Sequence, residues 1–443
     1  MSDPAFLTVP ELGRLLRLRR LSCVDLTTAC LDRLEQIGPR YSAVAELLWE
    51  SALTEARERD VELLRGKDRG PLHGIPYGVK RLVATDATVV SRLRRHGAVL
   101  CATLAMADLA DERPGADRAS AGRSPWDPSR WSGGSSSGSA AAVAAGLLPF
   151  TLGSETWGSI QYPAAFCGVT GLRPTFGRVS RHGARTLSRT MDKLGPLAQT
   201  AEDCGMVLAA TAGADPNDPS ALSRRFQAPL APTIRRYRLG ILRGTADGTQ
   251  PEVRQNFEAT LAVLADVADL VDDLVLPDYP YDAMAGAVLE AELADSRESW
   301  SPLPAGAATA AEPGAALGAR ARRGGLARDY LRALRLRRPA AAALDRLLAQ
   351  VDAVLAPTLP TVAWPVGVPS HQAYPEYPGG TSIAGAANLC GAPALFLPNG
   401  FGEAGLPTSL QVTGRARSEA TLLQLGMHFQ ARTDFHRGRP PGL

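Results

Sequence analysis

A glycine- and serine-rich run in the first third of the chain leads directly into regular structure. Residues 133–140 read GGSSSGSA, and this run passes into the apolar segment SAAAVAAGLLPF and then the strand-like segment FTLGSE. A flexible linker would have polar, unstructured flanks, so the pattern instead predicts a loop at the N-terminal end of a helix that precedes a strand. A phosphate-binding loop is not indicated, because the run lacks the Gly-Lys-Ser/Thr ending of that motif.

Helical and strand-like patterns alternate along most of the chain. The first sixty residues carry apolar residues at helical spacing, and PLHGIPYGVKRLV predicts a turn followed by a short strand that ends at Lys80. Further strands are predicted, before a closing helix, in the segments RLGIL, DLVDDLVL, VDAVLAPTLP, PALFLPNGF and SLQVTGR. This alternation is typical of an α/β fold. Because strand signals occur at both ends of the chain, we expect one sheet that collects strands from the whole of residues 1–443.

The composition predicts a globular protein and argues against several kinds of partner. Hydrophobic residues make up 45% of the 443, enough for a large core. No apolar stretch approaches the roughly 20 residues that span a bilayer, and the N-terminus lacks the basic start and apolar segment of a secretion signal. A net charge of +3 is too small to indicate nucleic acid or a membrane surface as a partner. We therefore expect a cytoplasmic protein that binds neither.

The six cysteines are scattered along the sequence. They include no CxxC pair, and no histidine lies at metal-ligand spacing from them. We expect these cysteines to be reduced and buried, and no metal site is predicted.

Lysine is rare in this chain. Only three of the 48 basic residues are lysines, namely Lys67, Lys80 and Lys193. Because arginine supplies positive charge elsewhere, a lysine in an apolar setting suggests a task that arginine cannot perform, which is to lose its proton. Lys80 follows the apolar residues Ile75 and Val79 and is the candidate base, whereas Lys193 is interpreted as a surface residue.

Serines of two glycine-rich segments are candidate nucleophiles, and a serine needs an activating base. The sequence GSSSG at 134–138 formally matches the nucleophile elbow, with Ser136 at its centre. The segment before it is proline-rich rather than strand-like, and His428 and His436 lie in a terminal region without a carboxylate motif. Ser159, in GSETWGSIQYPA, is the better candidate, with Lys80 as the base.

Residues 301–327 form an alanine-, glycine- and proline-rich stretch that predicts a loop or a lid over the surface. The predicted helix LARDYLRALRLRRP follows, and eight arginines fall between Arg320 and Arg338. A solvated helix face is the favoured interpretation of these arginines, and an anion-binding site is the alternative.

Residues 133–183 resemble the signature block of the amidase signature family. The resemblance is weakest at about residues 285–345, and elsewhere it extends in fixed order through PLHGIPYGVK, MDKLGPLAQTAEDC, VDAVLAPTLPT, NLCGAPALFLPNGF and GLPTSLQVTGR. It implies a single large α/β/α domain with a central twisted mixed β-sheet covered by helices. Within residues 1–443, the domain would comprise an N-terminal helical region, a catalytic core with the signature block, a variable helical insert, and C-terminal strands with a helix (1–70, 71–275, 276–345 and 346–443).

The family uses a Ser-cisSer-Lys triad, and the resemblance assigns its members by position. Ser159 matches the nucleophile, Ser135 the bridging serine and Lys80 the base, with a cis peptide bond between Gly134 and Ser135. Burial of Lys80 would lower its pKa, so that the neutral amine could accept a proton through Ser135. The resemblance implies no metal and no organic cofactor.

An oxyanion hole is implied just before the nucleophile, formed by backbone N–H groups of Thr156, Trp157, Gly158 and Ser159. Trp157 departs from the family pattern, because two glycines usually precede the nucleophile. The segment between Lys80 and Ser135 is also shorter than usual, and further departures are Arg81, Ser137, Glu155 and Gln161. Trp157 either fills volume left by the shorter segment and reshapes the acyl pocket, or marks a site that has lost activity.

The resemblance implies an amidase that hydrolyses a small-molecule carboxamide or a related C–N bond through a seryl acyl-enzyme. Acyl or amide transfer is one alternative, since the family includes the A subunit of tRNA-dependent amidotransferases and GRVSRHG resembles that branch. A catalytically impaired binding protein with the same fold is the other alternative. The family often forms dimers, so a homodimer is a further expectation.

Overall fold

A computed structural model describes residues 4–106, 122–229, 231–233, 235–298 and 326–443. Its central feature is one mixed sheet of 11 strands, in the spatial order β1-β3-β2-β4-β6-β5-β10-β11-β9-β7-β8. The strands, numbered in chain order from β1 to β11, are Val44–Leu47, Pro76–Lys80, Val99–Leu104, Phe150–Glu155, Thr170–Arg173, Lys193–Ala198, Tyr237–Leu242, Ala268–Leu274, Ala353–Pro357, Ala394–Phe401 and Pro407–Thr413.

Helices cover this sheet. Described α-helices, in chain order, are Val9–Arg17, Cys23–Gln36, Trp49–Leu64, Thr88–Arg95, Ser137–Ala144, Gln161–Cys167, Ala201–Thr211, Pro251–Ala265, Tyr281–Glu298, Leu326–Leu348, Ser370–Ala373, Ala384–Cys390 and Glu419–Gln430. Among these described helices, none is long and apolar enough to cross a membrane.

Parallel and antiparallel pairs are combined in the sheet. β2 lies between β3 and β4 and is parallel to both, whereas β6 is antiparallel to β4 and to β5. All residues of β2, β3, β4 and β6 are buried, as expected for interior strands covered on both faces. The mixed α/β architecture predicted from the sequence is confirmed, and one sheet does receive strands from both ends of the chain. The division of the domain into four regions stays a prediction.

Several strands appear where the sequence pattern predicted something else or gave no strand. β1 lies in the first sixty residues, which were predicted to be helical, so that prediction is wrong at this point. It is a four-residue edge strand with exposed positions, and it pairs only with β3 among the described strands. Such a short, half-polar segment has no distinctive pattern of its own, because its strand conformation comes from the pairing. β3, β5 and β6 were likewise not predicted.

Helix Leu326–Leu348 confirms the solvated-face interpretation in part for the arginines that are described; Arg320, Arg322 and Arg323 lie outside the described residues. Arg328, Arg332, Arg335 and Arg338 are exposed, but Arg337 is partly buried and donates hydrogen bonds to Thr190 and to the carbonyl of Leu389. The predicted loop or lid falls almost entirely in residues 299–325, outside the described residues. All six cysteines are described and unpaired; five are buried and Cys390 is partly buried.

Candidate active site

Lys80 is the last residue of β2, and its side chain is fully buried. Its Nζ lies 2.6 Å from Ser135 Oγ and 3.0 Å from Ser154 Oγ. Burial lowers the pKa of Lys80 to about 7, against the opposing influence of the buried carboxylates of Asp192 and Glu155. Lys80 can therefore gain or lose a proton near neutral pH, and the hydroxyl of Ser135 is in contact to donate one.

Ser135 lies in the glycine-rich loop, next to a cis peptide bond that joins it to Gly134. Its Oγ donates a hydrogen bond of 3.0 Å to Ser159 Oγ. Gly133 has a φ of +78°, and a Cβ there would lie 2.6 Å from the backbone of Tyr162. Only glycine fits both restrictions. The three predicted catalytic side chains thus form one continuous line of contacts, from Lys80 through Ser135 to Ser159.

Two further serines of the run, Ser136 and Ser139, form hydrogen bonds with backbone groups. Ser136 Oγ donates to the carbonyl of Ser154 and accepts from its N–H, and Ser139 Oγ donates to the carbonyl of Leu152. These bonds attach the loop and the start of helix Ser137–Ala144 to β4. The hydroxyl of Ser136 is therefore engaged in two backbone hydrogen bonds, which agrees with the preference for Ser159 over a nucleophile elbow centred on Ser136.

The predicted oxyanion segment is the turn that follows β4. Among the described residues, none accepts a hydrogen bond from the backbone N–H groups of Thr156, Trp157, Gly158 or Ser159. The left-handed conformation in this turn falls on Gly158, with a φ of +101°, and not on Trp157. A tryptophan in place of the usual first glycine is therefore accommodated without backbone strain.

Glu155 binds the backbone at the end of the turn. One carboxylate oxygen, Oε2, accepts from the N–H groups of Ile160 at 2.7 Å and Gln161 at 2.9 Å, directly after Ser159. The other, Oε1, accepts from Arg173 at 2.9 Å and from Asn388 Nδ2 at 2.7 Å. Burial by itself would raise the pKa of Glu155, but the positive charge of Arg173, the largest opposing influence, holds this pKa below its usual range.

Asp192 anchors the other end of the turn. It accepts a 2.5 Å hydrogen bond from Thr156 Oγ1, and its second oxygen accepts from the N–H groups of Leu187 and Ser188. Burial raises the pKa of Asp192 in spite of these bonds. The turn that carries Ser159 is therefore braced by two buried acidic side chains, which the sequence reasoning did not place there.

Lys193 is not a surface residue, so that interpretation is wrong. It is the first residue of β6, 2% exposed, and its Nζ donates to Asn388 Oδ1 at 2.5 Å and to the Asn388 carbonyl at 3.3 Å. Burial, with Arg173 next in importance, lowers its pKa to about 7. The scarcity of lysine was the signal that could have found it, since the argument made for Lys80 applies equally here.

A cavity of about 1180 Å³ opens beside the turn. Trp157 and Gly158 form part of its wall, together with Gly134, whereas Lys80, Ser135 and Ser159 are buried and are not among its described lining residues. The cavity is rich in aromatic side chains, contributed by Trp131, Trp157, Tyr162, Tyr279, Tyr281, Trp364, Tyr374 and Tyr377. Trp157 therefore lines the cavity, and its indole also packs against a second hydrophobic cluster.

Trp157 and Gln161, two of the departures from the family pattern, have clear contacts. Gly385 leaves room for the Trp157 ring, because a Cβ there would lie 3.1 Å from the ring and 2.8 Å from Asp282 Oδ1. Gln161 donates through Nε2 to the carbonyl of Thr358 at 2.9 Å. Within the described residues, no three His, Cys, Asp or Glu side chains are placed to hold a metal ion.

Comparison with known proteins agrees with this geometry. The family model described as Amidase matches residues 25–85 and 81–423. The A subunit of glutamyl-tRNA(Gln) amidotransferase of Roseiflexus sp. (strain RS-1) is 35% identical, and the match covers 98% of each chain. Among solved structures, the native peptide amidase of Stenotrophomonas maltophilia is 31% identical with a TM-score of 0.81, covering 98% of both chains.

A further solved structure supports the fold alone. The A subunit of glutamyl-tRNA(Gln) amidotransferase from Thermotoga maritima has a TM-score of 0.78 at 24% identity, covering 98% of this chain and 96% of that one. The family resemblance and the α/β/α fold predicted from the sequence are confirmed by these matches. The chain belongs to the amidase signature family and is an amidase that acts on C–N bonds.

Proposed function

We propose that the chain hydrolyses a small-molecule carboxamide through an acyl-enzyme on Ser159, with Ser135 as proton relay and Lys80 as base. The observation that carries this proposal is the unbroken line of contacts Lys80 Nζ–Ser135 Oγ–Ser159 Oγ, at 2.6 and 3.0 Å. A general base must lie within hydrogen-bond reach of the proton it takes, directly or through one relay. A base must also be neutral before it can accept a proton. Lys80, with a pKa of about 7, meets this requirement because much of it is neutral at neutral pH.

Acylation begins when Ser159 Oγ attacks the amide carbonyl carbon. The hydroxyl proton of Ser159 passes to Ser135, whose own proton passes to neutral Lys80, and the carbonyl π electrons move to oxygen. The tetrahedral intermediate collapses as its C–N bond breaks, and the leaving nitrogen takes a proton from Ser135, which is restored by Lys80. Ser159 is left as an ester of the substrate's acyl group.

The N–H groups of residues 156–159 would stabilise the oxyanion of this intermediate. They belong to a turn braced by Glu155 and Asp192, so they are oriented before the substrate arrives. Fixed donors of this kind need no reorganisation during the reaction, and removing one typically lowers kcat by about 10²–10³. Water then attacks the acyl-enzyme by the same relay and releases the carboxylic acid and free Ser159.

The cavity indicates the kind of substrate. Its aromatic lining favours an amide with a sizeable apolar or aromatic portion, because such groups gain most from burial against aromatic side chains. A peptide amide belongs in the first substrate panel, since one similar structure is a peptide amidase. The homodimer stays a prediction.

Fluorophosphonate labelling followed by intact mass and peptide mapping tests the proposal. We expect one adduct on Ser159, none in Ser159→Ala, and strongly slowed labelling in Ser135→Ala and Lys80→Ala. Ser139→Ala is the matched control, because the one hydrogen bond of its hydroxyl within the described residues is to the Leu152 carbonyl at 3.4 Å, and it should label like the wild type. Labelling or amide hydrolysis that survives in Ser159→Ala would overturn the assignment.

The same preparation separates the alternatives. If Ser159 is acylated but the acyl group leaves only when an amine acceptor is added and water alone releases no acid, the chain is a transferase with this chemistry. If the protein binds aromatic amides but forms no adduct and releases no acid, it is the impaired binding protein.

A further inference from the structure

We infer that Lys193 is a positioning residue for the nucleophile: through Asn388 and Glu155 it fixes the backbone that follows Ser159. The inference rests on the proposed function, in which Ser159 is the nucleophile. It assigns a task to the second buried lysine, which takes no part in the proton relay.

Lys193 and Glu155 are neighbours on adjacent strands of the sheet. They are paired residues at the ends of the antiparallel strands β6 and β4, and both side chains are buried. The Nζ of Lys193 nevertheless donates its described hydrogen bonds to Asn388, on helix Ala384–Cys390, at both Oδ1 and the backbone carbonyl. Lysine thus reaches the carboxylate of Glu155 through an intervening amide.

The amide of Asn388 has one acceptor and one donor end, so its orientation matters. The Nζ of Lys193 donates to the Oδ1 end, which leaves Nδ2 to donate to Glu155 Oε1 at 2.7 Å. Without a donor at position 193, the reverse orientation would place an amide oxygen against a carboxylate oxygen or leave Glu155 with one bond fewer. Lys193 therefore selects the orientation in which Asn388 supports Glu155.

Glu155 passes this constraint to the nucleophile's turn. Its Oε1 is held by Asn388 and Arg173, and this fixes the rotation of the carboxylate about its terminal bond. Its Oε2 then lies where it accepts from the N–H groups of Ile160 and Gln161, at 2.7 and 2.9 Å. A rotated carboxylate would release these two peptides, which directly follow Ser159.

The charges around position 193 help to explain why Lys193 bonds to Asn388 rather than forming a direct ion pair with Glu155. The charged groups that act on Lys193 are Arg173, Glu155, Asp192 and Arg337, so a second cation already competes for Glu155. The single nitrogen of lysine can donate to two oxygens of the same asparagine whether or not it is charged, whereas the planar fork of arginine is suited to paired carboxylate oxygens. This explains why lysine is kept in a chain that otherwise uses arginine.

Steady-state kinetics and labelling of variants test the inference. Lys193→Met removes the donor at similar volume, and we expect kcat and the fluorophosphonate labelling rate to fall at least about tenfold with KM changed less than about twofold. Lys193→Gln keeps an N–H donor toward Asn388 Oδ1 and should recover most of that loss. Lys67→Met is the matched control, because Lys67 is largely exposed and pairs with Glu62, and it should behave like the wild type.

Wild-type labelling is measured first, so that failure of the proposed function is recognised separately, as an adduct that is missing or lies away from Ser159. With Ser159 labelled in the wild type, an unchanged kcat in Lys193→Met overturns the inference, and so does a Lys193→Gln variant as slow as Lys193→Met. If Lys193→Met does not fold, Asn388→Asp replaces it, because that variant keeps the acceptor for Lys193 but removes the donor to Glu155. Wild-type kcat in Asn388→Asp would refute the inference equally.

Discussion

Replacing Lys80 by methionine should change stability by an amount that depends on pH. In the folded protein burial lowers the pKa of Lys80 from its ordinary 10.5 to about 7. Between these values the unfolded chain binds a proton on this lysine that the folded chain does not. Stability rises with pH wherever the unfolded state binds more protons, so the wild type gains stability relative to the variant from about pH 7 upward.

The magnitude follows from the proton count. One proton corresponds to a slope of about 1.4 kcal/mol per pH unit, so the difference in unfolding free energy between the two chains should shift by about 3 kcal/mol between pH 7.5 and 9.5. Groups present in both chains largely cancel from this difference. The variant also deprives Ser135 and Ser154 of a partner, which costs about 1–3 kcal/mol for each hydroxyl but shifts the difference equally at every pH.

Urea denaturation of both proteins across this pH range measures the difference. In parallel, wild-type kcat/KM should rise tenfold per pH unit below about pH 7 and level off above it, because only neutral Lys80 accepts a proton. Two independent measurements thus report the same proton. A stability difference that stays flat from pH 7.5 to 9.5, or an acid limb above pH 9, would show that Lys80 keeps its proton and cannot be the base.

Two glycine substitutions test the wall and the loop of the site. Gly385→Ala puts a methyl group 3.1 Å from the Trp157 ring and should change KM for aromatic amides at least about threefold. Gly286→Ala is the control, because a methyl group there meets nothing within 4 Å. It should leave KM unchanged and stabilise the helix by about 0.5–1 kcal/mol. Gly133→Ala combines a φ of +78° with a backbone contact at 2.6 Å and should lower the unfolding free energy by more than about 2 kcal/mol. Gly66 has a similar φ of +76° but lies in open space, so Gly66→Ala should lower the unfolding free energy by only about 1–2 kcal/mol.

Substrate kinetics and urea denaturation check these values. A KM unaffected by Gly385→Ala would mean that the Trp157 ring does not contact the substrate. Equal losses for the Gly133 and Gly66 variants would mean that the loop has room for a methyl group and that backbone conformation alone matters.

Local pattern was sufficient for part of the interior of the fold, although it did not predict the buried strands β3, β5 and β6. β2, β4 and β10 are apolar runs bounded by turn residues, and each lies where the sequence predicts a strand. β1 was not predictable in this way, because a four-residue edge strand between helical segments acquires its conformation from β3, more than fifty residues further along the chain. Local propensity carries no information about such a partner.

The polar network around the nucleophile's turn was also beyond local reasoning. Lys193 and Asn388 are separated by 195 residues, and Glu155 and Asn388 by 233. No motif links positions so far apart, and the scarcity of lysine marks Lys193 as unusual without naming its partner. The burial that lowers its pKa is a property of the packed chain.

By itself the sequence determined the α/β class, the order of the motifs, the family, and which serines and which lysine are candidates for catalysis. Those conclusions rest on spacing and residue type, which are present in the chain before it folds. Only the tertiary structure decided that Lys80, Ser135 and Ser159 touch in one line, that Gly158 rather than Trp157 takes the left-handed conformation, and that Lys193 is buried. Distance and desolvation arise when remote segments pack together, so they cannot be deduced from any one segment.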